Sequence, residues 1–201
     1  MSTTTNQNNL DQEFWENRYR AEETGWDLGA ISPAIKFYID QLNNKDIKIL
    51  IPGGGHNYEA EYLWHTGFKN IYIVDIAEAA LIQFQQRVPD FPTQQIMHLD
   101  FFKITDTFDL IIEQTFFCAL DPNLRITYST KMNQLLKTNG KLVGLLFDFE
   151  LTKVGPPFDG DLNEYKTLFS NHFTIKTLET AFNSVKPRQN KELFFIFEKT
   201  S

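Results

Sequence analysis

The chain has 201 residues, 42% of them hydrophobic and 22% charged, with a formal net charge of -7. That length supports one domain with a sizeable core, and the composition excludes wholesale disorder. The acidic balance disfavours a nucleic-acid partner, which would call for a basic face.

In chain order, residues 1–9 read as a disordered tail. The opening MSTTTNQNNL is polar and has no apolar h-region, so it is not a secretory signal. A helix is expected from Asp11 to Ala21, with Phe14, Trp15 and Tyr19 at helical spacing and Gly25 breaking it. Ser32-Pro33 has the chemistry of a second helix start, running to about Leu42. Strands are then expected at Lys48–Ile51, Ile71–Asp75, Gln95–Leu99, Phe108–Glu113 and Lys141–Phe147. Helices near Tyr58–His65, Ala77–Arg87 and Asn123–Leu136 fall among them. Alternation of this kind implies parallel units in a doubly wound sheet. Phe173–Leu178 and Glu192–Glu198 close the chain as an antiparallel strand pair, joined through Lys186-Pro187-Arg188. No run approaches the ~18 apolar residues of a membrane span. Cys118 is the one cysteine, so no intramolecular disulfide forms and a cytoplasmic location is expected.

In such sheets, ligands bind at the carboxyl ends of the strands. Three marks fall there. Gly53, Gly54 and Gly55 follow the first strand and let the backbone turn sharply beside a ligand. Asp75 ends the second strand, 20 residues after Gly55, where a carboxylate suits ribose hydroxyls. Asp100-Phe101 follows the third, an acid for an adenine amine and a ring to cover its face. Each has a plainer alternative: a tight turn, a helix cap, a turn residue. Their coincidence on one rim points to an adenosine-containing ligand. A bulky Tyr58 stands where the dinucleotide fingerprint wants its third glycine. That favours S-adenosylmethionine over a nicotinamide dinucleotide.

His56 reads as an exposed loop histidine rather than a base. His65, His98 and His172 show no metal-ligand spacing, so no metal site is expected. Cys118 reads as a small buried residue. Phe116, Phe117 and Phe158 read as acceptor-pocket walls or core.

The segments FWENRY, GWDLGAISP, ILIPGGGHNYEAEYL, IYIVDIAEAAL, LDFF, FDLIIEQTFFCALDP, GPPF and PRQNKE carry a resemblance over nearly the whole chain. It resembles the thiopurine S-methyltransferase family, most closely its halide/thiol branch. The resemblance implies a seven-stranded class I methyltransferase sheet, mostly parallel with an antiparallel last strand. Residues 10–201 would form one domain, with 10–44 as cofactor-covering helices and 45–201 as the sheet core. It implies S-adenosylmethionine contacts from Trp15, Tyr19, Trp26, Gly53, Gly55, Asp75, Asp100, Phe101 and Gln114. Phe158 and Arg188 would position a small-molecule acceptor, most simply a thiol. Gln114 stands where relatives carry arginine or tyrosine, and Phe158 where halide/thiol relatives carry tyrosine. Both departures turn the reading away from halide and hydrosulfide toward a bulkier or more apolar acceptor. They also keep a non-catalytic S-adenosylmethionine- or S-adenosylhomocysteine-binding domain as the second reading. An NAD-binding oxidoreductase is the third.

Overall fold

The computed structural model describes residues 10–149 and 155–200. The expected tail, residues 1–9, lies outside the described residues. Helix α1 spans Gln12–Arg20, and Asp11 caps it by accepting the Phe14 amide at 3.0 Å. It ends at Ala21, with Glu22 in the left-handed region, so the chain leaves helix before Gly25 is reached. Helix α2 spans Pro33–Ile39, one turn shorter than expected.

The core alternates as the sequence implies: β1 Ile49–Pro52, α3 Tyr58–His65, β2 Ile71–Asp75, α4 Glu78–Arg87, β3 Ile96–His98 and β4 Phe108–Gln114. It continues with α5 Arg125–Leu135, β5 Leu136–Phe147, α6 Leu162–Phe169, β6 Phe173–Thr180 and β7 Glu192–Lys199. The sheet order is β3-β2-β1-β4-β5-β7-β6. Strands β1 to β5 pair in parallel, and β7 runs antiparallel to both β5 and β6. Strand order therefore reverses between β1 and β4, which puts the glycine loop at the switch point.

Alternate side chains of each strand feed two cores. Ile49, Ile51, Ile73 and Ile112 pack under α2, α3 and α4. Leu50, Val74, Ile111 and Leu142 pack under α5 and α6.

Three expectations need correction. The α5 region opens with a 3-10 turn at Pro122–Leu124, whose Asn123 amide bonds the Asp121 carboxylate. Strand β5 begins at Leu136 rather than Lys141, its register shifting around a left-handed Asn139. Helix α6 was not expected at all. Its signal was present: Asp161 accepts the amides of Asn163 and Glu164, while Leu162, Tyr165 and Phe169 share one face.

Candidate active site

At the switch point, Gly53 and Gly55 both have positive φ, near 55° and 53°. A Cβ on Gly53 would overlap the Phe116 ring, and one on Gly55 the Tyr19 hydroxyl. The glycines therefore admit an aromatic group from each side. Asp75 locks the loop from the next strand. Its Oδ2 accepts the Gly55 amide at 3.1 Å, and its Oδ1 the Ala77 amide at 2.9 Å. The carboxylate thus borders the cavity while bracing the backbone at Gly55 and Ala77, and it does not cap α4 itself. Burial pushes its pKa up to about 6, against the lowering effect of those amides.

Helix α1 lies over this rim. Glu16 accepts the Ala79 amide at 3.0 Å, fixing α1 to the start of α4. Trp15 and Trp26 meet edge to face at 5.7 Å, and Tyr19 meets Trp26 at 6.0 Å. Tyr19 is buried, and burial together with the Asp75 charge keeps its hydroxyl protonated.

Beneath this cover is a cavity of about 690 Å³. Trp15, Tyr19, Trp26, Gly53, Asp75, Asp100, Phe101 and Arg188 all border it. Gly55 and Gln114 border a smaller cleft that shares Tyr19, Trp26 and Gly53 with the cavity. The Gln114 Oε1 is buried and has no hydrogen-bond partner among the described residues. Asp100 caps a 3-10 turn through the Phe102 amide at 2.9 Å.

The acceptor-side expectations divide. Phe116 borders the cavity, whereas Phe117 is buried in the core against Tyr128 and Tyr165. Phe158 is not among the bordering residues; its amide bonds the Cys118 carbonyl at 2.7 Å. Pro156, Pro157, Phe147 and Phe149 border the cavity instead. Arg188 borders the cavity and pairs with the buried Glu192 at 3.3 Å. Its guanidinium also donates to the Trp26 carbonyl at 2.5 Å and lies 5.4 Å from the Phe147 ring centre. It ties the N-terminal cover to the last strand.

His56 is not an exposed loop residue. Its Nδ1 meets Asp27 at 2.7 Å and its Nε2 meets the Gln83 side-chain oxygen at 2.9 Å. Cys118 is buried and free, and burial pushes its thiol well up, as suits a packing residue.

One residue was missed. Glu113 is fully buried, and its Oε1 accepts the amides of Phe116 and Phe117 at 2.7 and 2.8 Å. Its Oε2 has no hydrogen-bond partner among the described residues. Burial pushes its pKa up to about 7. The carboxyl holds the turn that follows the left-handed Thr115 and so sets where Phe116 stands. The sequence signal was an acid directly after the apolar run Leu110–Ile112 of the strand.

Residues 10–200 match the family model described as thiopurine S-methyltransferase. Among curated relatives, the chain is 28% identical over 193 residues to a probable thiol methyltransferase 2 of Arabidopsis thaliana, covering 93% of this chain and 85% of that protein. It is 25% identical over 198 residues to the thiopurine S-methyltransferase of Vibrio cholerae, covering 90% of each. Among solved structures, it resembles the 1,6-didemethyltoxoflavin-N1-methyltransferase of Burkholderia thailandensis, with a TM-score of 0.78 at 16% identity, covering 94% of this chain and 87% of that one. The N-methyltransferase NodS of Bradyrhizobium japonicum, in complex with S-adenosylhomocysteine, gives a TM-score of 0.71 at 17% identity, covering 95% and 100%. With its switch-point glycines, strand-end acids and aromatic cover in one cavity, the chain belongs to the thiopurine S-methyltransferase family and is an S-adenosylmethionine-dependent methyltransferase.

Proposed function

We propose that the large cavity takes S-adenosylmethionine beside a small thiol, within a single domain whose residues 10–44 cover the cofactor. In this reading Asp75 takes the ribose hydroxyls, and Asp100 and Phe101 the adenine. Gly53, Gly55 and Gln114 take the amino-acid end, where the unpartnered Gln114 oxygen is suited to an ammonium donor. Trp15, Tyr19 and Trp26 offer electron-rich rings to the positive sulfur, each good contact being worth ~0.5–2 kcal/mol. This donor set fits the cofactor, since acids, rings and a Cβ-free loop fall on one rim. When bound, it supplies a methyl group already activated for in-line displacement.

The observation that carries the thiol reading is the state of the acids and bases around the cavity. Asp11, Asp75 and Asp100 each accept a backbone amide. His56 has both ring nitrogens engaged, and the Cys118 thiol is held protonated. Among the described residues, groups so engaged are better suited to positioning and to excluding water than to taking a proton from an alcohol or amine. A thiol needs no such help, because its ionised fraction near neutral pH is already a strong nucleophile. The cytoplasmic location expected from the single cysteine belongs to the same reading.

The test is turnover of labelled cofactor against aliphatic and aromatic thiols, hydrosulfide, iodide, an alcohol and an amine. Methylated thiols are expected, with kcat/KM rising with pH along each thiol's own ionisation. Transfer only to the alcohol or amine would contradict the reading.

A further inference from the structure

Arg18 is a cation in the cavity wall that nothing above employs. The N-cap Asp11 and the α1 residues Trp15, Arg18 and Tyr19 border the cavity, at the spacing of one helical face. The other charges near this face are committed, Asp11 among them through the Phe14 amide at 3.0 Å. Glu16 is paired with Arg20 at 2.9 Å and holds the Ala79 amide. Arg188 is held by Glu192 and the Trp26 carbonyl. Arg18 makes no ion pair among the described residues, and its Nε is buried without a hydrogen-bond partner. Its guanidinium carbon lies 5.2 Å from the Trp26 ring centre and 5.7 Å from that of Phe14. Two rings thus hold a planar cation in place while leaving its donors to spend, which is pre-organisation for an anion.

The cofactor's carboxylate is a poor match for this cation. The amino-acid end is assigned above to the glycine loop and Gln114, and Arg18 does not border that cleft. The attacking sulfur is a poor match too. A guanidinium bonded to the thiolate would stabilise its lone pair before attack and lower its reactivity. The remaining partner is a second charge on the acceptor. We propose that Arg18 binds an anionic group of the acceptor distinct from its sulfur, so that the cavity selects thiols that also carry a carboxylate. Lys191, which also borders the cavity with its Nζ 5.5 Å from the Phe149 ring centre, adds positive potential to the same space. The inference rests on the thiol reading for its sulfur, but not for its anion.

The experiment compares the full-length protein with Arg18→Met and Arg18→Lys, using mercaptoacetate, the neutral 2-mercaptoethanol and the cationic cysteamine. Losing a charge-assisted hydrogen bond should raise KM for mercaptoacetate ~10- to 100-fold in Arg18→Met. The KM for 2-mercaptoethanol and the affinity for S-adenosylhomocysteine should stay within about three-fold, an uncertainty of well under 1 kcal/mol. Arg18→Lys should recover part of the loss. Equal losses for all three thiols would assign Arg18 to the cover's structure and overturn the proposal. Loss of S-adenosylhomocysteine affinity alone would reassign it to the cofactor and overturn it as well. A second arm needs no turnover: calorimetric titration of mercaptoacetate into protein saturated with S-adenosylhomocysteine. Binding that disappears in Arg18→Met upholds the anion site even if no thiol is methylated, a result that would instead sink the thiol reading. No binding to the unaltered protein overturns the anion site.

Discussion

Glu113 makes the fold's stability depend on pH in a calculable way. Its carboxyl is buried, and its pKa is raised from 4.5 to about 7. Among the described residues no charge offsets that burial, and Cys118, Tyr128 and Tyr165, which feel the Glu113 carboxyl, are all held neutral. A raised carboxyl favours the fold when protonated, so its contribution is full below pH ~4.5 and is lost as pH rises through about 7. Between pH 5 and pH 8 the linkage relation gives a loss of about 2.5 kcal/mol from this one group. Glu113→Gln removes the titration while retaining an oxygen for the Phe116 and Phe117 amides. The assay is urea unfolding of both proteins at intervals from pH 5 to pH 8. The absolute difference between them includes any cost of burying the new amide, but that cost does not titrate. The stability of Glu113→Gln relative to the parent should therefore rise by about 2.5 kcal/mol across the range. A difference that stays constant with pH would refute the burial argument and return Glu113 to an ordinary carboxylate.

Two further substitutions probe the cover. Gly55→Ala forces a side chain into the left-handed region, costing ~1–2 kcal/mol, and drives its Cβ into the Tyr19 hydroxyl; S-adenosylhomocysteine affinity measured by calorimetry should fall at least ~10-fold. Arg188→Met leaves Glu192, 2% exposed, without its cation and should lower stability by about 3 kcal/mol in urea unfolding. The double variant Arg188→Met/Glu192→Met should recover most of that loss.

Much of the site was legible because its parts follow backbone rules. Gly53, Gly55 and Asp75 stand where a parallel sheet presents its strand ends, and strand periodicity locates those ends. The helix carrying Trp15 and Tyr19 was legible from its spacing, whereas the place of these rings and Trp26 over the rim came from the family resemblance. What escaped depends on how distant segments meet. Phe116 and Phe117 are adjacent and chemically identical, yet a 3-10 turn sends one to the cavity and the other to the core. Phe158 was expected to touch the acceptor, but Pro156 and Pro157 of its segment border the cavity while its own amide bonds the Cys118 carbonyl. Arg188 has its role only because Trp26, 162 positions earlier, folds beside it. Glu113 turns its carboxyl onto its own following loop, a bond no periodicity announces. Helix α6 is different, since Asp161 and Glu164 form a cap signal that was simply available.

The claim that this rim is built for an adenosyl cofactor is tested most directly by calorimetric titration with S-adenosylhomocysteine, with Asp75→Ala measured in parallel. The account predicts micromolar binding to the unaltered protein and a loss of at least ~10-fold in the variant, because the carboxylate holds the Gly55 amide and is proposed to take the ribose hydroxyls. No heat with S-adenosylhomocysteine, together with tight binding of NAD, would contradict it.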